Sequence, residues 1–525
     1  MRIAVLGAGP GGLFAATLAK TSDPSRDVTV YERNRAEDTF GFGVVFSDAT
    51  LAGIHAADPV LRTALTEHGV HWDPIEVRLR GERLSCAGNG MAAVERKTLL
   101  SLMQQRAIDA GVDVRFSTEV RADDLLAEGH DLVVAADGAN SRFRERFADV
   151  FGPSSETATA KFIWFGTTYP FEGLTFVHER GPHGVFAVHG YPIGNGISTF
   201  IVETDEESWR AAGLDEFDTS RPPGPSDEKT RAYLEQLFAG QIDGHPLLVN
   251  NSRWGNFRTL RAARWRHRVG GTAVALLGDA AHTAHFSVGS GTKMAMEDGV
   301  ALVAALDAHP GDLDAALAEY EAARQPQVAK IQDSARPSLS WWEHFGRSYD
   351  TLPPWQFAYH FFTRALTDGR LRRRDASFVA DVHRRWRAEH GGEPLTSELT
   401  VGAHRLPGRV VPVGDGVIRT PTGTLPLRAE PAGDGEWALA VDAPDAEAGL
   451  PAALDAVAAG IAAGAALVAV RGGTALTRRL LCEEARLGLG AVTLAIEDGP
   501  LDDDGATTAV LSGRTDLVGT AAVPS

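Results

Sequence analysis

The first 32 residues constrain the fold of this chain more than any other stretch. Residues 2–6 form an apolar run of the buried-strand type, and Gly7-Ala8-Gly9-Pro10-Gly11-Gly12 follows before a helical pattern over residues 13–20. A second strand pattern, residues 28–31, ends in Glu32. Glycines with this spacing allow a tight turn, the approach of a pyrophosphate and close helix–strand packing, while the later acid can bind the adenosine ribose. The stretch therefore predicts a dinucleotide-binding strand–turn–helix–strand unit in an α/β domain.

Two arginines raise the question of where an anion would bind. Arg33 follows the acid of the first unit. Its side chain either pairs with the adenosine end of a ligand or is solvated, and the sequence leaves both alternatives open. Arg96 begins an amphipathic helical pattern, where its charge opposes the positive end of the helix dipole. We therefore expect a specific anionic partner for Arg96.

Two later strand patterns also end in an acid. Residues 131–136 run into Asp137-Gly138, with Ser141 and Arg144 downstream, and residues 272–277 run into Gly278-Asp279. Gly289 and Gly291 then precede a helical pattern. A strand-end acid and a helix N-terminus together can hold a polyol beside an anion, although an ordinary strand–loop–helix crossover has the same pattern.

Composition and charge exclude several classes of protein. The net charge of −18 on 525 residues makes non-specific binding to nucleic acid or to an anionic membrane unfavourable. The longest apolar run, residues 456–470, is too short to span a bilayer. The first strand pattern begins at once, so no signal peptide is predicted, and two cysteines, Cys86 and Cys482, lack disulfide or metal-ligand spacing. We expect a cytoplasmic protein without a metal site.

The three glycine and acid motifs, in this order and at these separations, resemble the fingerprints of the group A flavoprotein aromatic hydroxylases. The resemblance implies an α/β fold: a Rossmann-like FAD-binding domain of the glutathione-reductase-2, p-hydroxybenzoate-hydroxylase-like type with an inserted antiparallel substrate sheet. Strand patterns at 162–165, 175–178, 185–189 and 198–202 fit that sheet. By the same resemblance, the residues expected to contact FAD are Gly7, Gly9, Pro10, Gly11, Gly12, Glu32, Arg33, Val44, Arg96, Asp137, Gly138, Gly278, Asp279, Gly289, Gly291, Thr292 and Lys293.

Other segments narrow the resemblance to enzymes that act on CoA thioesters. Residues 38–48, 200–204, 209–214 and 278–293 are similar to those of salicylyl-CoA 5-hydroxylases and of the monooxygenase half of 2-aminobenzoyl-CoA monooxygenase/reductases. Most group A enzymes have Pro where this chain has Phe286, and Asn where it has Lys293. Two interpretations of Lys293 stay open: it adds a positive charge beside the flavin, or it is an ordinary exposed lysine on a helix.

The resemblance implies a single-component monooxygenase that uses FAD, NAD(P)H and O₂, with NAD(P)H binding transiently. A flavin C4a-hydroperoxide would hydroxylate an aryl-CoA substrate, first of all salicylyl-CoA to 2,5-dihydroxybenzoyl-CoA. The predicted catalytic residues are His189 and His285, and the predicted pocket residues are Phe46, Trp164, Tyr191 and Phe286. The alternatives are hydroxylation of 2-aminobenzoyl-CoA or a free aromatic acid, and a flavin-binding scaffold without catalysis. A homodimer is compatible with the sequence.

Arginines are crowded into residues 253–268. Because guanidinium groups bind phosphate well, Arg253, Arg258 and Arg261 are candidates for the CoA phosphates. Solvated faces of a hairpin would give the same pattern.

The predicted hydroxylase domain covers residues 1–385. Its FAD-binding segments are about 1–70, 92–155 and 255–385, and its substrate-sheet segments are about 71–91 and 156–254. A Gly/Pro/Glu-containing linker, 386–402, precedes a small C-terminal α/β domain, 403–525.

The C-terminal domain resembles the end of an old-yellow-enzyme barrel, in which a turn such as Gly513-Arg514 would face FMN phosphate. About 125 residues are too few for that whole eight-stranded barrel, and Glu497 stands where the pattern favours Gly. We therefore predict a truncated remnant that binds no FMN, with a thioredoxin-like domain as the alternative.

Overall fold

The computed structural model describes residues 1–39, 41–47, 51–217, 226–286, 289, 291–431 and 435–521. Phe40, Asp48, Ser287, Val288 and Ser290, which belong to the sequence motifs, lie outside these ranges. The strands are β1 Arg2–Leu6, β2 Asp27–Tyr31, β3 Gly43–Ser47, β4 Val70–Trp72, β5 Ile75–Leu79, β6 Glu82–Cys86, β7 Met91–Glu95, β8 Asp113–Arg115, β9 Leu132–Ala135, β10 Pro153–Thr167, β11 Leu174–Gly181, β12 Gly184–Gly194, β13 Ile197–Thr204, β14 Leu247–Leu248, β15 Gly255–Ala262, β16 Arg266–Val269, β17 Thr272–Leu276, β18 Leu399–Val401, β19 His404–Leu406, β20 Val410–Gly414, β21 Val417–Thr420, β22 Gly423–Arg428, β23 Ala438–Asp442, β24 Leu467–Arg471, β25 Thr493–Glu497 and β26 Leu517–Ala521. The helices are α1 Pro10–Ser22, α2 Ala52–Ala57, α3 Val60–His68, α4 Arg96–Asp109, α5 Ala122–Ala127, α6 Arg142–Arg146, α7 Ala148–Phe151, α8 Glu206–Ala211, α9 Glu228–Leu237, α10 Gly291–Ala308, α11 Leu313–Thr351, α12 Pro354–Phe362, α13 Asp368–Arg374, α14 Ala376–His390, α15 Leu450–Ala462, α16 Ala475–Glu483 and α17 Asp503–Leu511.

The chain divides into two compact units. The first consists of Met1–Arg78 and Asn89–Glu343, and the second of Leu79–Gly88 and His344–Ser525. The division falls inside α11, whereas the predicted linker at 386–402 overlaps the last turn of α14 and includes β18. The domain limits given above stay predictions.

A mostly parallel sheet forms the centre of the first unit, with the strand order β16-β17-β9-β1-β2-β8. Its parallel pairs join β17, β9, β1, β2 and β8, and β16 pairs antiparallel with β17 at the edge. The apolar side chains of the central strands are buried in the core, as expected for a parallel sheet covered on both faces. The carboxyl ends of β1, β9 and β17 therefore lie side by side, which brings the three glycine and acid motifs to one edge.

A second sheet in the first unit has the order β14-β10-β13-β12-β11-β5, with β15 also paired to β10. The pairs among β10 to β13 are antiparallel, as predicted for the inserted sheet. Side chains alternate between its faces. One face packs into an apolar cluster that includes Phe165, Phe186 and Phe200, whereas the other carries histidines, a glutamate and aromatic side chains.

A small closed barrel dominates the second unit. Seven strands, β20 to β26, follow one another around it, and β20 closes the ring by pairing parallel with β26. Strands β22 to β26 are parallel, whereas β20, β21 and β22 form antiparallel pairs. Alternate residues of β24 face the inside and the outside of the barrel. Leu467 and Ala469 belong to the inner aliphatic cluster, whereas Val468 and Val470 pack under the helices.

Helix α11 is the longest helix, with 39 residues, and includes Pro326 and Pro337. Charged side chains such as Arg324 and Asp333 recur along it. Within the described ranges, no helix combines the length and the apolar character needed to cross a membrane.

Candidate active site

The N-terminal turn requires glycine at two positions. Gly7 has a φ of +105°, and a Cβ added there would lie 2.4 Å from the carbonyl oxygen of Ala136. A Cβ at Gly12 would lie 2.1 Å from the carbonyl oxygen of Gly7. These approaches let β1 turn directly into α1, which begins at Pro10 and has no side-chain cap. The first N–H groups of α1 are therefore available to an anion.

Space remains in front of this turn. A Cβ added at Gly9, Gly138 or Gly291 would meet no atom of the described residues within 4 Å. The three positions belong to three different loops at the carboxyl edge of the central sheet. The absence of a side chain at each position leaves room for a ligand rather than for protein packing.

Glu32 is fixed at the end of β2. Its Oε2 accepts a hydrogen bond from Ala8 N at 2.9 Å, and its Oε1 accepts one from Asn34 N at 2.8 Å. The carboxylate thus lies against the glycine turn, where an acid that binds ribose is expected. Arg33 next to it is exposed.

The Asp137 loop contains a buried oxygen whose hydrogen-bonding capacity is not used within the described residues. Asp137 Oδ1 is buried and has no hydrogen-bond partner there, and burial raises the pKa of its carboxyl. Arg144 secures the loop by donating to the carbonyl oxygens of Ala139 and Ala280, each at 2.8 Å. Since a buried polar atom of this kind is costly, Asp137 is well suited to a ligand that donates a hydrogen bond.

A buried charged network supports the Gly278–Ala280 loop. Asp298 accepts hydrogen bonds from His282 at 2.7 Å, Arg324 at 2.8 Å and the backbone N–H of Gly278 at 3.1 Å. Trp265 stacks on the His282 ring at a centroid distance of 5.0 Å. The hydrogen bonds of Asp298 to His282 and Gly278 therefore fix the Gly278–Ala280 loop.

Asp279 and Arg96 lie on the same cleft. Asp279 is exposed, yet the protein around it raises the pKa of its carboxyl by desolvation, against the opposing charges of His282 and Arg96. Desolvation likewise lowers the pKa of Arg96, and Asp279 opposes that shift. The opposing charges of Asp279 and Arg96 therefore act on each other at this edge of the sheet.

Strand β3 and the start of α10 border this cleft. A Cβ at Gly289 would lie 3.6 Å from Val45 Cγ1, and one at Gly43 would lie 2.2 Å from Ile193 of the inserted sheet. Val44, which lies between Gly43 and Val45 in the sequence, is half-buried. Thr292 and Lys293 begin α10, and Lys293 forms an ion pair with Glu297, so its charge is partly neutralised.

The residues around the cleft fit FAD. A helix N-terminus and glycine positions without side chains suit a pyrophosphate, Glu32 suits the ribose, and Asp137 and Asp279 suit hydroxyl and amide donors. The individual contacts remain predictions.

Aromatic rings surround Phe286 on the other side of the cleft. Its ring centroid lies 5.0 Å from that of Phe162, 5.6 Å from Trp164 and 6.2 Å from Phe257. Phe162, Trp164, Phe257 and Phe286 are each only half-buried. They form an apolar surface on which a further flat ring can pack.

Two of the predicted pocket residues are buried, and their function in a pocket remains a prediction. Phe46 is 1% exposed and packs in the main apolar core of the first unit. Tyr191 stacks on Trp72 and donates to the carbonyl oxygen of Gly43 at 3.4 Å, and burial raises its pKa to about 12. The structure therefore groups Trp164 with Phe286, but not Phe46 or Tyr191.

His189 and His285 meet at one buried carboxylate. His189 Nε2 lies 2.6 Å from Glu203 Oε2, and His285 Nε2 lies 3.3 Å from Glu203 Oε1. Both histidines also pack on Phe286, with centroid distances of 5.7 and 4.3 Å. This His189–Glu203–His285 cluster can accept and hold a proton beside the aromatic surface.

Comparisons with known proteins identify the family. The family described as FAD binding domain matches residues 1–335. A salicyloyl-CoA 5-hydroxylase from a Streptomyces species is 60% identical over 526 residues, which cover 99% of each chain.

The chain belongs to the FAD-dependent aromatic hydroxylases.

Other relatives of this aromatic hydroxylase match about two thirds of the chain. The 3-hydroxy-4-methyl-anthranilyl-(aryl-carrier protein) 5-monooxygenase of Streptosporangium sibiricum is 37% identical over 65% of this chain and 89% of its own length. Among solved structures, P. aeruginosa PqsL in complex with 2-aminobenzoylacetate has a TM-score of 0.51 at 22% identity, over 67% of this chain and 100% of its own. That likeness concerns the fold. The predicted family, α/β fold, FAD cofactor and monooxygenase activity are confirmed.

The three arginines predicted to bind CoA phosphates do not form one cluster in this hydroxylase. Arg258 and Arg261 lie three residues apart on the regular part of β15, and so on opposite faces of the strand. Arg258 donates to Asn140, Arg261 pairs with Asp333 at 2.7 Å, and Arg253 donates to Asn251 at 2.8 Å. Their function as phosphate ligands remains a prediction.

Glu203 and Asp298 were not predicted as site residues. Glu203 follows three apolar residues on β13 and is 1% exposed, which is unusual for an acid. That anomaly was a detectable signal. Asp298 lies within the apolar pattern of α10 and offered the same signal.

Proposed function

We propose that this hydroxylase converts salicylyl-CoA to 2,5-dihydroxybenzoyl-CoA with NAD(P)H and O₂. The observation that supports this substrate most directly is the 60% identity to a salicyloyl-CoA 5-hydroxylase along the whole chain, including the C-terminal unit. Similarity restricted to the FAD-binding part would leave the substrate open.

The aromatic surface suits the ring of this substrate. Trp164 and Phe286 present a half-buried edge and face on which a benzene ring can pack. Together with Phe162 and Phe257 they exclude water from the place where the ring would lie. Bound FAD, reduced by NAD(P)H, supplies the activated oxygen.

The histidines suit the phenol group. The salicylyl ring carries a hydroxyl at C2, and loss of its proton enriches C5, the para carbon, in electron density. His189 and His285 are the proton-accepting side chains next to Phe286. Their function in this hydroxylase is to take the phenol proton as the ring reacts.

The decisive experiment follows one turnover. Purified protein that contains FAD is reduced anaerobically with NADH or NADPH in the presence of salicylyl-CoA, O₂ is admitted, and the product is identified. We expect 2,5-dihydroxybenzoyl-CoA. Parallel reactions with 2-aminobenzoyl-CoA and free salicylate test the alternatives, and faster turnover of free salicylate would contradict a CoA substrate. A lack of substrate-stimulated NAD(P)H oxidation with all three compounds would indicate a scaffold without catalysis.

We further propose that the protein acts in the cytoplasm, where reduced thiols persist. Cys86 and Cys482 are both buried and are not joined in a disulfide.

NADH and NADPH oxidation rates with salicylyl-CoA bound will decide which nicotinamide is used.

A further inference from the structure

The strand pairing explains how one carboxylate comes to lie between two histidines. Glu203 on β13 is paired with Ala187 on β12, and His189 lies two residues further along β12 on the same face. The distance of 2.6 Å between His189 Nε2 and Glu203 Oε2 therefore joins two neighbouring strands. The loop after β17 brings His285 to the other oxygen, at 3.3 Å. The inserted sheet and the FAD-binding sheet thus each contribute one histidine.

The three side chains of this cluster are buried, so the charge of each one strongly affects the protonation of the others. The side chain of Glu203 is 1% exposed, and those of His189 and His285 are 4% and 2% exposed. Although burial opposes ionisation, His285 and His189 hold the pKa of the Glu203 carboxyl below its usual range. The contacts of 2.6 and 3.3 Å are ion-pair distances, and since an ionised carboxylate can only accept a hydrogen bond, it favours the tautomer of each histidine that carries the proton on Nε2.

The surroundings are mostly aromatic. Phe176 and Trp342 pack on His189, with centroid distances of 4.8 and 4.4 Å, and Phe257 packs on His285 at 4.9 Å. The titratable and charged side chains on the neighbouring elements include His178 on β11, Lys161 on β10, Tyr191 on β12, Arg258 on β15 and Glu343 on α11. Lys161 donates to Asn256, and Glu343 accepts from Thr159.

We propose that Glu203 is the positioning residue of the active site, which fixes the tautomers of His189 and His285 and increases their affinity for the phenol proton. This inference rests on the proposed function, because it needs a phenolic substrate. It assigns the task of the carboxylate, which acts through the histidines and not on the substrate itself.

The proton transfer is balanced within the site. The phenol O–H bond breaks, an N–H bond forms on one imidazole, and the electron pair stays on the phenol oxygen. The new imidazolium is stabilised by the carboxylate that already binds its other nitrogen. A neutral amide in place of Glu203 would lack that stabilisation.

The test compares Glu203→Gln with Glu203→Asp, which keeps the charge. We expect Glu203→Gln to lower the plateau of kcat at least tenfold and to move its acidic limb about one unit towards lower pH, because the histidines lose protons more readily. We expect Glu203→Asp to keep the limb of the wild type. Glu319→Gln removes a surface carboxylate 2.6 Å from His309 and serves as the control, with an unchanged profile.

A second measurement uses binding alone. The phenolate absorbance of bound salicylyl-CoA, without NAD(P)H, is titrated against pH. In the wild type we expect ionisation at lower pH than for the free compound, and in Glu203→Gln a shift back of about one unit. The wild-type titration also decides the matter if Glu203→Gln does not fold, since an unshifted phenol would overturn the proposal.

The two proposals fail in different ways. A wild type that makes no hydroxylated product from salicylyl-CoA contradicts the proposed function. A wild type that hydroxylates, with Glu203→Gln less active to the same degree at every pH and with an unmoved phenolate titration, contradicts the assignment of Glu203.

Discussion

Single glycines around the FAD cleft differ in what an added side chain would meet. Gly12 lies against the backbone of its own turn, whereas Gly9 faces open space. One glycine is therefore required by the fold and the other by the ligand. Substitution can separate the two requirements.

Gly9→Ala should leave the flavin-free protein nearly as stable as the wild type, within about 0.5 kcal/mol, because no protein atom lies near the added methyl group. It should weaken FAD binding at least tenfold, as the methyl group occupies the pyrophosphate side of the turn. Gly12→Ala should instead destabilise the flavin-free protein by about 1–3 kcal/mol. Thermal unfolding and fluorimetric FAD titration measure both, and unchanged FAD affinity in Gly9→Ala would place the pyrophosphate elsewhere.

Asp137 is the second residue that should affect the stability of the flavin-free protein. Burial raises the pKa of its carboxyl, so the folded state binds the proton more tightly than the unfolded state. The charged form is therefore destabilising above the unfolded pKa, and the penalty disappears as pH falls below that value.

Asp137→Asn should raise the melting temperature of the flavin-free protein near neutral pH, and the gain should shrink as pH is lowered towards 4. The same variant should bind FAD more weakly, because an acceptor oxygen and its charge are lost. Calorimetry at several pH values with a parallel FAD titration tests this. A variant that is less stable at pH 7 would show that Asp137 serves the fold.

Strand alternation and one loop assemble the substrate side of the cleft. Pairing across β10 to β13 aligns Trp164, Ile201, His189 and Phe176 in one row and Phe162, Glu203, Ala187 and His178 in the next. The loop after β17 sets Phe286 against these rows. The element that holds FAD and the element that holds the ring therefore meet at Phe286.

Phe286→Leu should raise the KM for salicylyl-CoA about tenfold, equivalent to about 1.4 kcal/mol, because aromatic pairs are lost around the ring. More hydrogen peroxide should be released per NAD(P)H consumed, since water reaches the site more easily. Steady-state kinetics with a peroxide assay measures both. Phe151→Leu, which alters a ring buried beside His267 in the same unit, is the control and should leave coupling unchanged.

Helices α12, α13 and α14 of the second unit are joined by a single carboxylate. Asp368 binds Tyr359 and Arg372 at 2.8 Å and His383 at 3.0 Å. Although burial opposes its ionisation, hydrogen bonds from His383, Arg372 and Tyr359 lower the pKa of Asp368 to about 2. Its stabilising effect is therefore complete above the unfolded pKa and is lost as pH falls towards 2.

Asp368→Asn should lower the free energy of unfolding by about 1–2 kcal/mol near neutral pH, with a difference that shrinks between pH 4 and pH 2. Urea unfolding at several pH values measures it. Asp381→Asn, which removes partly exposed ion pairs to Arg384 and Arg385, is the matched control with an expected loss of about 0–1 kcal/mol. An equal loss in the two variants would rule out a special contribution of Asp368.

The whole molecule contains a closed barrel in addition to the FAD-binding part. The Streptosporangium relative uses 89% of its length to match 65% of this chain. In the second unit, aliphatic side chains fill the barrel. Arg514, of the Gly-Arg turn, donates to Thr363 at 3.0 Å and to the carbonyl oxygen of His360 at 2.7 Å.

The purified protein should contain one FAD per chain and no FMN. The described inner cluster of the barrel is aliphatic, and the guanidinium of Arg514 donates to Thr363 and to the carbonyl oxygen of His360. Acid release and chromatographic separation of the flavins, scaled to protein concentration, measures this. Stoichiometric FMN would show that the barrel is a second flavin site.

The sequence by itself determined the class of fold, the cofactor and the family. Glycine spacing and strand-end acids are local patterns, because neighbouring residues along the chain build each turn, and residues 2–32 were sufficient to predict the β1–α1–β2 unit. The inserted strands were also predictable from alternation. The sequence named His189 and His285 as separate candidates, since 96 positions separate them.

Only the tertiary structure decided that both histidines bind Glu203, that Phe46 belongs to the core, and that Arg258 and Arg261 face opposite ways. It also closed seven strands of the second unit into a barrel, where the sequence predicted a truncated remnant of an old-yellow-enzyme barrel or a thioredoxin-like domain. These features depend on strand register and on packing between segments far apart in the chain. Local patterns carry no record of such distances, because the same alternation fits several registers until the sheet is assembled.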